Sequence, residues 1–268
     1  MASELYNNQN YSKGLDYYSG YIVEYDMSKA NINALLSRGI INKELYDKLY
    51  NANKQYREVY IGNMIKNNEN IYKEIQAGII EAKKLFVEAN NIIDEEIFSI
   101  RNDAIYILSD RQMKQKFDNY YFVKKNIYTF FFRFYNNKEW YYRFDQLSNN
   151  DIIDIKGINN ESLLYHQGFF LKFLADVSYS IQRSSIEDTL ELVNDFYEDY
   201  INRRLDIRYY REFNNMSEYR ITFARFNRSY IIPELGSADL KNIDINFNLR
   251  ILRDLIKVVD QIYFNQRR

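Results

Sequence analysis

Tyr21-Ile-Val-Glu-Tyr-Asp26-Met-Ser28-Lys-Ala-Asn31-Ile-Asn33-Ala-Leu-Leu36 and, further along, Glu96-Ile-Phe-Ser-Ile-Arg-Asn102-Asp103-Ala-Ile-Tyr-Ile-Leu108 are the two stretches that decide the fold. The first reads as a strand that ends on an aspartate and turns into a helix. The second reads as two apolar strand pieces joined by Asn102-Asp103, a favourable turn pair. If the strands pair, Asp26 and Asp103 project at one edge. Glu24 lies two residues before Asp26 and shares its strand face, as a helper ligand or an exposed charge.

Outward from these stretches, helices alternate with strands. Residues 1–20 have no clear period and read as an arm. Ser28 is placed to cap a helix to Ser37, ended by Arg38-Gly39. Asn42 is placed to cap a helix over about 43–66, and a third runs about 69–90 with Ile71, Ile75, Ile79, Phe86 and Val87 on one side. Residues 121–144 read as a hairpin turning at Asn136-Asn137-Lys138, followed by a short strand, Asp151 to Gly157. Beyond that the pattern is helical, at about 161–182, 185–203 and 245–264. The reading is an α+β protein: a small mixed or antiparallel sheet with helices on one face over 21–158, then a mostly helical part over 159–268.

Composition narrows the chemistry. The chain has 268 residues, 46% of them hydrophobic, enough for one large domain or two small ones. Its 36 basic and 37 acidic residues nearly cancel, so a nucleic-acid site would have to be a local patch. Cysteine is absent, which excludes disulfides, thiolate metal sites and cysteine nucleophiles. His166 is the single histidine and reads as structural. Neither a phosphate-cradling Gly-Lys loop nor a dinucleotide fingerprint occurs. No apolar run approaches the roughly 20 residues of a membrane span. The opening Met1-Ala-Ser-Glu-Leu-Tyr has no signal-peptide pattern, so a cytoplasmic location is expected.

Metal-assisted phosphoryl transfer uses carboxylates that bridge two divalent ions about 3.5–4 Å apart. An acid ending one strand and another at the tip of a neighbouring hairpin meet that need. The bland alternative is that Asp26 caps a helix and Asn-Asp is an ordinary turn. Taken together, the segments resemble the palm of family B DNA polymerases, including the protein-primed ones. Tyr25-Asp26-Met-Ser28-Lys-Ala-Asn31 resembles the first motif, Asp-x-x-Ser-x-Tyr-Pro, with the serine offset and no Tyr-Pro. Ser99 to Tyr106 resembles the third motif, with one acid where Asp-Thr-Asp is usual. Lys54-x-x-Arg57 and the helix bearing Lys83 and Lys84 fall in the slot of the nucleotide-gripping helix. Lys125-Asn-Ile-Tyr128 resembles the Lys-x-Tyr primer-binding motif, and Asp154-Ile-Lys156-Gly157 the segment that follows it.

The resemblance implies Mg²⁺ held by Asp26 and Asp103, which would be the catalytic pair. It places Lys54 and Arg57 on an incoming triphosphate, and Lys125, Tyr128 and Lys156 on a primer strand. The implied partners are DNA or RNA, single-stranded or primer-template, and other phage proteins. With the composition, it implies a phage-encoded nucleotidyltransferase.

Two further stretches bear on binding. From Arg111 to Arg143, eight Lys or Arg are interleaved with Phe117, Tyr120, Tyr121, Tyr128, Trp140, Tyr141 and Tyr142. Such a face suits single-stranded nucleic acid, unless the rings alternate into a core. A similar stretch runs from Arg203 to Arg228. The acidic run Glu187 to Asp199 reads as a solvated face or as a partner for those arginines. A non-catalytic nucleic-acid-binding or assembly subunit, or a virion structural protein using the aromatic hairpin as a contact, is the alternative function.

Overall fold

A computed structural model describes residues 2–157, 160–206, 209, 215–223, 228–234 and 246–267. The chain forms two compact units. The first comprises Met1–Gly14 and Tyr21–Ile127, the second Leu15–Gly20 and Tyr128–Arg268. The architecture is α+β, as the sequence predicts; among the described residues the strands within each unit pair antiparallel, save for the parallel pair of Ile152–Ile153 with Thr222–Phe223.

In the first unit, β1 (Asn10–Ser12), β3 (Ile97–Arg101), β4 (Ala104–Ile107) and β2 (Tyr17–Met27, from Tyr21 on) lie side by side in that order. β2 and β4 pair with Asp26 opposite Ala104 and Glu24 opposite Tyr106. β3 and β4 pair with Arg101 opposite Ala104, so Asn102 and Asp103 are the two residues of the turn. Asn102 takes φ +48°, a left-handed conformation asparagine tolerates better than most residues. Between β2 and β3 the chain makes α1 (Ala30–Ser37), α2 (Lys43–Asn51), α3 (Lys54–Asn67) and α4 (Asn70–Ala89). The period-2 pattern of β2 sends Val23, Tyr25 and Met27 into one core. There they meet Ile75, Ile79, Phe86 and Val87 of α4 and Ile105 and Ile107 of β4. Tyr25 and Phe86 lie 5.1 Å apart, centroid to centroid, and Phe86 and Phe122 4.5 Å.

The second unit orders β6 (Tyr120–Phe134, from Tyr128 on), β7 (Lys138–Asp145), β8 (Asn150–Lys156), β9 (Asn215–Phe223) and β10 (Arg228–Glu234). The remaining strand, β5 (Lys116–Phe117), pairs with the first half of β6 in the first unit. One face of β6 to β8 presents Phe130, Phe132, Trp140, Tyr142, Ile153 and Ile155 to α5 (Asn160–Arg183), α6 (Ile186–Ile201) and α7 (Asn246–Gln266). The indole of Trp140 donates to Ser178 Oγ at 3.1 Å, which satisfies the polar atom of this buried ring.

Several expectations need correction. Ser28 does not cap α1: its amide donates to Tyr121 O, and Lys29, at φ +50°, holds the cap position without a side-chain bond. The long helix over 43–66 is two helices. Asn42 caps the first through Leu45 N, and Asn53 caps the second by accepting from Tyr56 N at 2.8 Å. A side chain that can bond its own backbone offers the chain a fresh start, and here it takes it. The arm at 1–20 contains β1 and the start of β2. The C-terminal part carries the β9–β10 hairpin, paired antiparallel. The change near 158 marks the end of β8 and the start of α5, while the compact units change at Ile127/Tyr128.

Candidate functional site

In the first unit a cleft of about 320 Å³ opens beside the end of β2. Asp26, Asp103, Lys54 and Arg57, four residues singled out from the sequence, all line it, together with Lys29, Asn31, Glu58 and Ile61. The two aspartates arrive by different routes. Asp26 is the last outward-facing residue of β2. Asp103 sits in the β3–β4 turn, and its carbonyl accepts from Met27 N at 2.9 Å, which locks the turn to the strand end. Opposite Asp26 stands Ala104, a small residue that leaves the carboxylate room. The basic side of the cleft comes from Lys29 before α1 and from the first turn of α3.

The charges are strongly coupled. Burial raises the Asp103 pKa, and the charge of Asp26 raises it further, against the pull of a backbone hydrogen bond and of Lys125. Asp103 is therefore a desolvated acid beside a like charge. Lys125 partly compensates it: its Nζ lies 2.7 Å from Asp26 Oδ2. Burial works against the Lys125 charge, but the Asp26 bond and the charges of Asp26, Glu24 and Asp103 prevail and raise its pKa. Asp26 caps no helix, so that alternative for its presence does not hold in the fold.

Glu24 is neither exposed nor free. It is 4% exposed and accepts from Tyr106 Oη at 3.0 Å and from Asn126 Nδ2 at 2.8 Å. It braces the strand below the cleft. Lys54 is well exposed and faces Glu58 at 3.5 Å, while Arg57 spends part of its guanidinium on Ala52 O at the α2–α3 corner. Lys29 donates to Tyr50 O at 2.7 Å and lies over the Tyr50 ring.

Tyr128 and Lys156 belong to the second unit. There they meet at Asp154, with Tyr128 Oη at 3.3 Å and Lys156 Nζ at 2.6 Å from Oδ2. Tyr128 is fully buried, so it presents no face to a primer strand. The aromatic stretch follows the alternation reading: Phe117, Tyr120, Tyr128, Trp140, Tyr141 and Tyr142 are all buried, and Tyr121 is exposed. Those rings are core, not a platform for bases. Of the second basic stretch, residues 207–208, 210–214 and 224–227 lie outside the described residues, as does the His166 side chain. In the acidic run, Asp199 pairs with Arg204 at 2.7 Å and Glu187 with Arg267 at 3.6 Å.

Lys83, on the helix that the resemblance likens to the nucleotide-gripping one, does not line the cleft. Lys83 of α4 is 1% exposed, its Nζ donates to Asn8 O at 2.6 Å, and burial lowers its pKa to about 8 against the opposing charge of Asp103. Its position four residues after Ile79 and three before Phe86 placed it inside the apolar stripe, which was the available signal.

The donor set suits a hard cation. Mg²⁺ takes one or two protein carboxylates and completes its octahedron with water and substrate phosphates. Asp26 and Asp103 can supply those two, and a cation would relieve their repulsion. Among the described residues no group of three or more His, Cys, Asp or Glu could hold a metal, so an all-protein cage is not the arrangement on offer.

Fold and cleft together define an α+β protein with a mixed-charge pocket at a strand end. The family described as Bacteriophage PBS1 gene 130 protein matches residues 1–261, and the chain belongs to that family. It is a phage protein. No curated protein gives a significant match, and no helix among the described residues is long and apolar enough to cross a membrane.

Proposed function

We propose that the first unit binds a nucleotide polyphosphate and a nucleic-acid strand end, and that it transfers nucleotides with Mg²⁺ held by Asp26 and Asp103. One observation carries this reading: two coupled aspartates and two helix-borne bases, Lys54 and Arg57, line the same cleft. A cleft with an acidic wall and a basic wall complements a metal-bound polyphosphate, whose ion and phosphates carry opposite charges. The bound ions would neutralise phosphate charge and polarise the reacting oxygens. Lys54, Arg57 and the N-terminal end of α3 would orient the phosphates, a helix start being favourable for anions. The strand order supports the same reading. β4 lies between β2 and β3, so the acid-bearing turn stands next to the acid-bearing strand end.

The ion pair between Lys125 and Asp26 favours a second reading, in which the acids carry their own counter-ion and the protein is a non-catalytic nucleic-acid-binding or assembly subunit of the phage. Primer extension with labelled dNTPs and NTPs in Mg²⁺ or Mn²⁺, wild type beside Asp103→Asn, separates them. Incorporation lost in the variant supports the transferase. A folded wild type that incorporates nothing but still shifts single-stranded DNA supports the binding subunit.

A further inference from the structure

Lys125 stands out among the lysines around the cleft. Lys83 is enclosed and fixed on a backbone carbonyl, Lys29 is held by Tyr50, and Lys54 is spread toward solvent. Lys125 instead sets its ammonium on one oxygen of Asp26, with a side chain 37% exposed against 27% for Asp26. The charged groups that act on it are Asp26, Glu24 and Asp103, so it serves the acidic side of the cleft. An ammonium and a divalent ion compete for the same oxygen. Three positive charges within a few ångströms repel one another, which favours one occupant over both. A half-exposed side chain on a flexible stem has solvent to move into; a buried one does not.

We propose that Lys125 is a tethered counter-ion that a divalent cation must displace from Asp26. The inference rests on the cation site proposed above and adds its regulation. While the ion is absent, the ammonium holds the Asp26 carboxylate in place and moderates its repulsion of Asp103. The arrival of the ion releases the lysine, so the apparent cation affinity is set partly by the strength of this one ion pair. Ion pairs of such exposure oppose a competing equilibrium by up to about fivefold.

The test is Mn²⁺ binding to the full chain, read from the electron paramagnetic resonance signal of free Mn²⁺, which needs no enzymatic turnover. Lys125→Gln should bind Mn²⁺ more tightly than wild type, by up to about fivefold, the removed competition being of that size. Lys125→Arg, which keeps the charge, should bind like wild type, with circular dichroism confirming that both variants are folded. A Lys125→Gln protein that binds no more tightly than wild type overturns the inference. So does an Asp26→Asn variant that keeps wild-type Mn²⁺ affinity, because the site would then lie elsewhere. Tighter Mn²⁺ binding by Lys125→Gln without nucleotide incorporation by any form upholds the counter-ion and sinks the transferase reading alone.

Discussion

Gly78→Ala in the middle of α4 pits two effects of similar size against each other. Alanine is the better helix former by about 0.8–1.0 kcal/mol, which argues for stabilisation. A Cβ at that position, however, would lie 2.7 Å from Ala34 Cβ and 2.9 Å from Ala34 Cα of α1. Carbon atoms prefer about 3.5–4.0 Å, and neither neighbour is a side chain that can rotate away. Overpacking of this kind costs about 1–3 kcal/mol. The net expectation is a loss of about 1 kcal/mol, read as a lower urea midpoint at unchanged slope. The strain falls on α1, whose Ala30 and Ile32 line the cleft, so weaker Mn²⁺ binding should accompany it. Ala34→Gly/Gly78→Ala removes the 2.7 Å contact with Ala34 Cβ but leaves the 2.9 Å contact with the Cα, so the double-mutant cycle should show a favourable coupling that restores only part of the loss. A Gly78→Ala protein more stable than wild type, with no coupling in the cycle, would refute the reasoning: α1 would have room to move.

Three further outcomes follow from the charges and caps. Asp103→Asn removes an acid whose pKa is raised by burial and by Asp26. The folded state holds that proton more tightly than the unfolded one, so the wild type loses stability as pH rises through the raised pKa. The variant should therefore melt higher at neutral pH, and the gap should close as pH falls toward 3.8, the ordinary value. Lys83 works with the opposite sign: its pKa falls from 10.5 to about 8 on folding, so stability gains as pH rises through that window. Lys83→Met should lack this gain, and parallel melting curves for the two proteins from pH 8 to 10.5 would count against the buried ammonium. Asn53→Ala removes the α3 cap and should cost about 1 kcal/mol in urea unfolding. It should also weaken binding of a nucleoside triphosphate analogue, because Lys54 and Arg57 sit in that first turn.

The strand-turn-strand grammar of 21–36 and 96–108 is legible because apolar runs broken by Asn-Asp leave few choices; the register that sets Asp26 opposite Ala104 is known only from the structure. The helix break at Ala52-Asn53 was not legible. The chain uses asparagine everywhere, so one more gave no warning of a cap. The sequence placed rings and cations on one face of 111–143, but alternation sends most rings inward, and whether the opposite face is solvated or closed depends on what packs there. The same applies to Tyr128 and Lys156: the resemblance implies primer-strand contacts, whereas the register Tyr141 opposite Asp154 turns both toward a buried acid. The β9–β10 hairpin overlaps the stretch from Arg203 to Arg228, whose arginines and tyrosines suit strands and exposed loops alike and so do not announce a hairpin.

The start of the chain is bound into the first unit more closely than its loose composition suggests. Ser3 N donates to Ile92 O, Asn8 O accepts from Lys83, Gln9 O accepts from Asn102 N at 2.7 Å, and Lys13 N donates to Phe98 O. The residue beside Asp103 thus hangs on the ninth residue of the chain. Anyone preparing this protein inherits that linkage. Trimming the chain to Gly14 removes these bonds, the one to Asn102 N among them. An affinity handle placed after Arg267 leaves those bonds untouched, so the choice of tag end is itself an experimental variable for every measurement at the cleft.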